Sequence, residues 1–358
     1  MMRSTAASPD NLRSQEAERI AAALDARVLP AFGMYDGTLS LLKNSENLTF
    51  RWVGRVAGRG TLNRVVRVGR PDYHDLDSVR SELALLDVLA SRLPAATPVP
   101  VPRLDGDPLA ALPPSDGADV RPIAVFEWVD GHPGSTGARQ SWTSLHQLGV
   151  VVAALHNLGP EAAGLGLSRP KWDWEALVGT GMWRTGDRTW SKWGASAGAG
   201  WIAALENVAP VDRRCLDEMA ARTRDAMAQL NSEDGNWGLI HGDLNPSNVL
   251  TTDDGVGLID FDDCGWGLHV YDLAVALLWP YLNGSGKAAR DALLAGYRTV
   301  RPLPASAEAS LELMVAARSL ALVRYFSGRT DSPRLRAWAP TFLPRAYELL
   351  HTIERHTR

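Results

Sequence analysis

The stretch that most constrains this chain is LIHGDLNPSNVL, Leu239 to Leu250, followed a few residues later by GLIDFDDCGWG, Gly257 to Gly267. A short apolar run leads into His241, Gly242 and Asp243, an Asn-Pro turn precedes Asn248, and Leu258 and Ile259 lead into Asp260, Asp262 and Asp263. Acids and carboxamides set at the ends of short strands, with little beside them to neutralise the charge, point to a cation supplied from solution. Turn-forming Asn and Asp that cap strand ends are the plainer explanation for any one of these residues. The joint pattern is far less common by chance: His-Gly-Asp, an Asn at fixed spacing, Ile-Asp-Phe-Asp on the next hairpin and a downstream Asp-Leu-Ala.

Transfer of a phosphoryl group from a nucleotide needs a divalent metal bridging the phosphates and a group that meets the attacking hydroxyl. Magnesium takes oxygen ligands and keeps several waters, so one carboxylate and one carboxamide on adjacent loops suffice. The kinase catalytic loop, H-R-D-L-x-x-x-N followed on the next hairpin by a metal-binding Asp, has this arrangement. Here the loop reads His241-Gly242-Asp243-Leu244-Asn245-Pro246-Ser247-Asn248, with the same Asp-to-Asn spacing, and the hairpin delivers Asp260. HGDLNPSNVL, GLIDFDDCGWG and VYDLAVAL together resemble the aminoglycoside phosphotransferase and choline kinase-like family. That kinase-like superfamily also holds bacterial homoserine kinases and a stress-response protein kinase, and it has Gly where kinases have the loop Arg, as Gly242 does here. The resemblance covers the chain from about Leu39 to Leu282, and the Leu239–Leu277 part is its most specific stretch.

The resemblance implies an α+β, bilobal protein-kinase-like fold with a small β-rich N-lobe and a larger, mainly helical C-lobe. It implies ATP and Mg²⁺, with Asp243 meeting the proton of the substrate hydroxyl and Asn248 and Asp260 holding the metal. His241 is expected to brace the loop, and Asp272 in YDLA to tie the loop backbone down. Asp262 and Asp263 lie beside the metal, where they serve it or the substrate, or are solvated loop acids, which is the commoner case. Cys264 reads as a small loop residue, with no partner base around it. At the nucleotide end, Arg67 in RVVRVGRP is expected to pair with Glu82 of the following helix and to meet the phosphates. Arg in place of Lys presents a fork where Lys presents a point charge. No G-x-G-x-x-G loop is present; NSENLTF stands there, offering Ser45 and Asn47. In AVFEWVDG, backbone groups of Glu127 and Val129 are expected to hold the adenine edge.

The organisation along the chain agrees with two lobes. Residues 1–25 read as a flexible segment or short helix, 26–128 as the nucleotide-binding lobe, and 129–358 as the catalytic and substrate-binding lobe. Alternation over Asn47–Val56 and Asn63–Gly69 predicts a hairpin, and apolar spacing predicts helices over Leu76–Leu93, Ser141–Leu158 and Asp212–Leu230. Six of the 13 tryptophans fall between Trp172 and Trp201, inside an insertion spanning roughly 160–210. Indole faces stack on sugars and cations, so Trp172 and Trp174, with Asp173, Glu175 and Asp187, are candidates for an amino-bearing alcohol. Packing of the insertion is the plainer role for any single Trp.

A formal net charge of −4 argues against nucleic acid, and two cysteines in 358 residues exclude a disulfide framework. With no apolar leader and no apolar run of spanning length, a cytoplasmic protein without membrane attachment is expected. The expected function is transfer of the γ-phosphoryl group of ATP to a small-molecule hydroxyl, on an aminoglycoside, amino sugar or amino alcohol such as homoserine or choline. Two alternatives stand beside it: a Ser/Thr protein kinase of the stress-response type, and a non-catalytic nucleotide-binding pseudokinase. Residue order leaves the oligomeric state open.

Overall fold

The computed structural model describes residues 9–44, 47–56, 59–70, 74–112, 120–134, 141–185, 188–190, 198, 200–328 and 333–357. The chain divides into two compact units, Met1–Leu83 with Pro98–Trp128, and Ala84–Thr97 with Val129–Arg358.

The first unit opens with helix α1 (Pro9–Arg27), which a short turn joins to strands β1 (Met34–Asn44), β2 (Leu48–Val56) and β3 (Gly60–Val68). Helix α2 (Leu76–Arg92) begins in this unit and runs on past its boundary; β4 (Leu109–Leu112) and β5 (Arg121–Glu127) complete the sheet. The strand order is β1-β2-β3-β5-β4, with every neighbour antiparallel. Period-2 alternation decides which side is buried. Leu48, Phe50 and Trp52 of β2 and Val66 and Val68 of β3 turn to one core, which Ala17 and Leu24 of α1 enter. The described part of the N-terminal segment, from Pro9, is thus a helix that reaches this unit's core through Ala17 and Leu24.

The indole of Trp52 needs unusual room. Gly37 and Gly54 face each other across the β1–β2 ladder, and a Cβ on either would lie 2.1 Å or 2.4 Å from the ring. Beside Gly37 the register shifts, with Asp36 at φ 53°. β1 is largely exposed, so it lacks the alternation that marks its neighbours.

In the second unit the order is β6 (His132–Pro133), α3 (Trp142–Asn157), α4 (Gly159–Gly164), β7 (Lys171–Trp172), α5 (Trp174–Leu177), β8 (Trp183–Thr185), β9 (Arg188–Trp190), α6 (Trp201–Ala204) and α7 (Pro210–Asn231). Then come β10 (Trp237–Ile240), β11 (Val249–Thr252), β12 (Gly255–Leu258) and β13 (Gly265–Leu268). Helices α8 (His269–Leu282), α9 (Gly286–Arg298), α10 (Ala305–Ala309), α11 (Leu311–Gly328) and α12 (Pro333–His356) follow. Two small sheets, β10-β13-β7 and β12-β11-β6, carry the loops of interest.

Ser141 caps α3, its Oγ accepting from Ser144 N at 3.0 Å. Past Asp272, α8 is apolar on all sides, and the helix is buried from His269 to Pro280, as such a helix must be. The segment 84–97 joins this unit through Ala96, whose carbonyl accepts from Leu258 N at 2.9 Å. Among the described residues no helix is long and apolar enough to cross a membrane.

Candidate active site

β10 delivers His241, Gly242 and Asp243 to its C-terminal end. Gly242 has φ +80°, and a Cβ there would lie 2.7 Å from the Asp263 carbonyl, so turn and contact both require glycine. Asp272, fully buried in the first turn of α8, accepts from His241 N at 2.7 Å and from Gly242 N at 2.8 Å. Those are backbone donors that the end of a buried strand leaves open. Behind Asp272 lies His156, with Nε2 3.3 Å from its carboxylate and Nδ1 2.9 Å from the Tyr297 hydroxyl. His156 also stacks on His269, ring centres 4.4 Å apart. Burial lowers the pKa of both imidazoles, His269 to about 2, with His156 and Arg301 adding to the effect there. Both rings are neutral, and the pair is a polar floor under the loop.

His241 holds the loop to the next hairpin. Its Nε2 lies 3.2 Å from the Ile259 carbonyl and its Nδ1 accepts from Asp243 N at 3.3 Å. Asp243 is closely attended. Its Oδ2 accepts from Asn245 Nδ2 at 2.8 Å and Asn248 Nδ2 at 3.0 Å, and its Oδ1 pairs with Arg318 of α11. Arg318 is 5% exposed. Burial opposes its charge, but Tyr271, Asp243 and Asp263 more than offset this and keep it protonated.

The donor set suits a hard cation. Asn248 spends Nδ2 on Asp243, including its carbonyl at 2.9 Å, which turns Oδ1 away from that carboxylate. Ile259 N donates to Asn248 O at 3.0 Å, which ties the Asp260 hairpin to the loop. Asp260 takes φ 68°, a left-handed conformation that non-glycine residues hold only where the surroundings impose it. One carboxamide oxygen and one carboxylate are what Mg²⁺ takes from protein while keeping its waters.

Beyond Asp260 the structure departs from expectation. Asp262 and Asp263 are 8% and 5% exposed, so they are not solvated loop acids. The turn they occupy is clasped from residues 169–172. Arg169 Nε donates to Cys264 O at 2.7 Å and its Nη2 to Phe261 O at 3.1 Å, while Trp172 Nε1 donates to Asp263 O at 2.6 Å. Trp172 is 2% exposed, and its indole is spent on fastening the hairpin that carries Asp260. Trp174 is likewise engaged in packing, its Nε1 3.2 Å from Ala220 O of α7. Trp201 Nε1 donates to Val178 O at 2.7 Å and Arg324 lies over its ring. The side chains of Trp183, Asp187, Trp190 and Trp193 lie outside the described residues.

In the first unit, Arg67 and Glu82 meet fork to fork, Nη1 to Oε1 at 2.7 Å and Nη2 to Oε2 at 2.6 Å. Glu82 is 1% exposed, and Arg67 packs over Phe126. Asn47 is buried at the start of β2; Ser45 lies outside the described residues. Glu127 gives its N–H to Val99 O at 2.9 Å and its carboxylate to Arg64 at 3.3 Å. Val129 is the first residue after this unit. Sequence reasoning missed Arg318, His156, Tyr297 and Arg169. For Arg318 a signal existed: two arginines interrupt the apolar run VAARSLALVRYF of α11, and a charge on a buried helix needs a partner.

The fold and these two charged constellations define a phosphotransferase of small molecules that acts on a hydroxyl group. The model of the phosphotransferase enzyme family matches residues 40–309, and the chain belongs to that family. A microcompartment-associated aminopropanol kinase is 26% identical, covers 95% of this chain and 98% of its own, and superposes with a TM-score of 0.76. A protein of Deinococcus radiodurans whose function is not described is 28% identical over 343 residues, 90% of this chain and 91% of its own length. A homoserine kinase of Sinorhizobium fredii is 30% identical over 261 residues, 69% of this chain and 66% of that kinase. Amicoumacin kinase, solved with AMP-PNP and Ca²⁺, shares the fold at 16% identity, 92% and 96% coverage and a TM-score of 0.66. None of these relatives supports a protein kinase.

Proposed function

We propose that this enzyme transfers the γ-phosphoryl group of Mg-ATP to the hydroxyl of a small amino alcohol. The observation that carries the chemistry is the Asp243 carboxylate, held on both oxygens by Arg318, Asn245 and Asn248 on a loop pinned by Asp272. The acceptor class rests on likeness to the aminopropanol kinase along nearly the whole chain, with homoserine-kinase relatives in support.

In this reading Asp243 accepts the hydrogen bond of the acceptor hydroxyl and aims its oxygen. The oxygen bonds to the γ-phosphorus as the bond to the ADP oxygen breaks, and the proton passes to Asp243 or on to water. A carboxylate already accepting from a guanidinium and two carboxamides is a weak base, so its work is orientation with late proton transfer. Asn248 and Asp260 would hold Mg²⁺, which would supply positive charge against that of the phosphates. Arg67, steadied by Glu82, meets the phosphates; Asn47, Glu127 and Val129 contact the rest of the nucleotide through backbone or amide groups. The experiment is ADP release with Mg-ATP against 1-amino-2-propanol, ethanolamine, choline, homoserine and two aminoglycosides. Turnover on an amino alcohol at least tenfold above the aminoglycosides is expected. Preference for an aminoglycoside refutes the acceptor class, and no ADP release with any acceptor refutes the reaction.

A further inference from the structure

Away from the catalytic loop, α7 and α12 turn two pairs of side chains towards each other. Asp212 and Cys215 stand three residues apart on α7, and His351 and Glu354 three apart on α12, so each pair shares a helix face. His351 Nε2 lies 2.9 Å from Asp212 Oδ1, and its Nδ1 lies 3.6 Å from Glu354 Oε2. One ligand atom each of Cys215, His351 and Glu354 falls within 4.8 Å of the other two. Cys215 is buried, and the His351 and Glu354 side chains are 24% and 14% exposed, which leaves a route in from solvent.

His351 keeps Nε2 against Asp212 and turns Nδ1 to the Glu354 side, which the Cys215 thiol also meets. The carboxylate on the far nitrogen is what fixes tautomer and ring angle for histidines that ligate metals. Sulfur, imidazole nitrogen and carboxylate oxygen together are a Zn²⁺ donor set, with a fourth position for water.

We propose that Cys215, His351 and Glu354 form a Zn²⁺ site that staples α7 to α12, with Asp212 orienting the histidine. Without metal the thiol stays protonated, because burial and the neighbouring Glu354 and Asp212 push it up to about 12 against the opposing pull of Arg355. Binding forms the zinc–sulfur bond and releases that proton to solvent. No residue of this set belongs to the phosphotransfer machinery, so the proposal stands apart from the reaction assigned above.

The test uses the full chain, stripped with chelator and titrated with Zn²⁺ by calorimetry and native mass spectrometry. One equivalent per chain is expected, together with a rise in melting temperature. Cys215→Ser and His351→Gln are expected to lose binding by at least tenfold, and Asp212→Asn by about 10–100-fold, the range for an outer carboxylate. Melting of the stripped variants shows whether each is folded. Cobalt substitution adds a readout: a thiolate-to-metal charge-transfer band present in the wild type and absent in Cys215→Ser. No stoichiometric binding, or binding undiminished in all three variants, overturns the proposal.

Discussion

At the scale of single residues, two charged pairs divide the work. The Arg318–Asp243 pair predicts a coupled effect. Asp243→Asn is nearly isosteric and is expected to lower kcat by about 10²–10⁴ with little change in Mg-ATP affinity. Arg318→Met on its own is expected to lower kcat as well, yet to add little in the Asp243→Asn background, because it acts through that carboxylate. Steady-state kinetics on the four proteins decides the matter, and independent, additive losses would detach Arg318 from Asp243. The Arg67–Glu82 pair is buried enough that removing one partner strands the other. Glu82→Ala is expected to cost about 3–5 kcal/mol in urea unfolding, with Arg67→Met/Glu82→Leu recovering much of it. A double variant no more stable than Glu82→Ala would count against that pairing. The Arg67–Glu82 pair was legible through the family resemblance, since the residue pattern alone left a surface hairpin Arg and a solvated helix Glu equally open. Arg318 was not, since it lies 75 positions along the chain from its partner and only the folded helix brings them together.

Among elements, legibility followed periodicity. The hairpin of β2 and β3 and the helices α2, α3 and α7 carry strong alternation or helical spacing, and they form within a few residues of their predicted limits. β1 was missed because an exposed edge strand buries too little to leave a pattern. The Trp-rich insertion was legible as aromatic but not as to role, because an indole that packs and one that binds have the same letter. What decides for Trp172 is its Nε1–H, which reaches the Asp263 carbonyl in the turn after Asp260. The β1–β2 ladder yields a prediction of its own. Gly54→Ala would place a methyl 2.4 Å from the Trp52 ring and 2.5 Å from Gly37 Cα. A loss of about 1–3 kcal/mol is expected from such overpacking, read by denaturant unfolding against the exposed neighbour Val53→Ala as control. Equal stability of the two variants would mean the sheet relaxes around the methyl at no cost.

For the molecule as a whole, residue order shows two lobes and misses how the chain is shared between them. Residues 84–97 come from the N-terminal half yet belong to the second unit, and α2 continues unbroken across that boundary. No local pattern announces this, since the apolar face of α2 looks the same on either side of Leu83. The stacked imidazoles of His156 and His269 beneath the catalytic loop also make the protein a proton sponge when it unfolds. Both are held neutral in the native state, His269 down to about 2, whereas in the unfolded chain each takes up a proton below about 6.5. Their folded pKa values are depressed, so the unfolded state binds more protons and stability falls as pH drops from about 6.5 towards 2. Each ring contributes up to about 1.4 kcal/mol per pH unit. Urea unfolding between pH 6.5 and 4 is expected to show that slope, and His269→Phe is expected to flatten it by about one proton. An unchanged slope in the variant would place the proton uptake elsewhere. Acid would therefore leave the floor of the active site untitrated in place and would weaken the folded chain only through the protons that unfolding takes up.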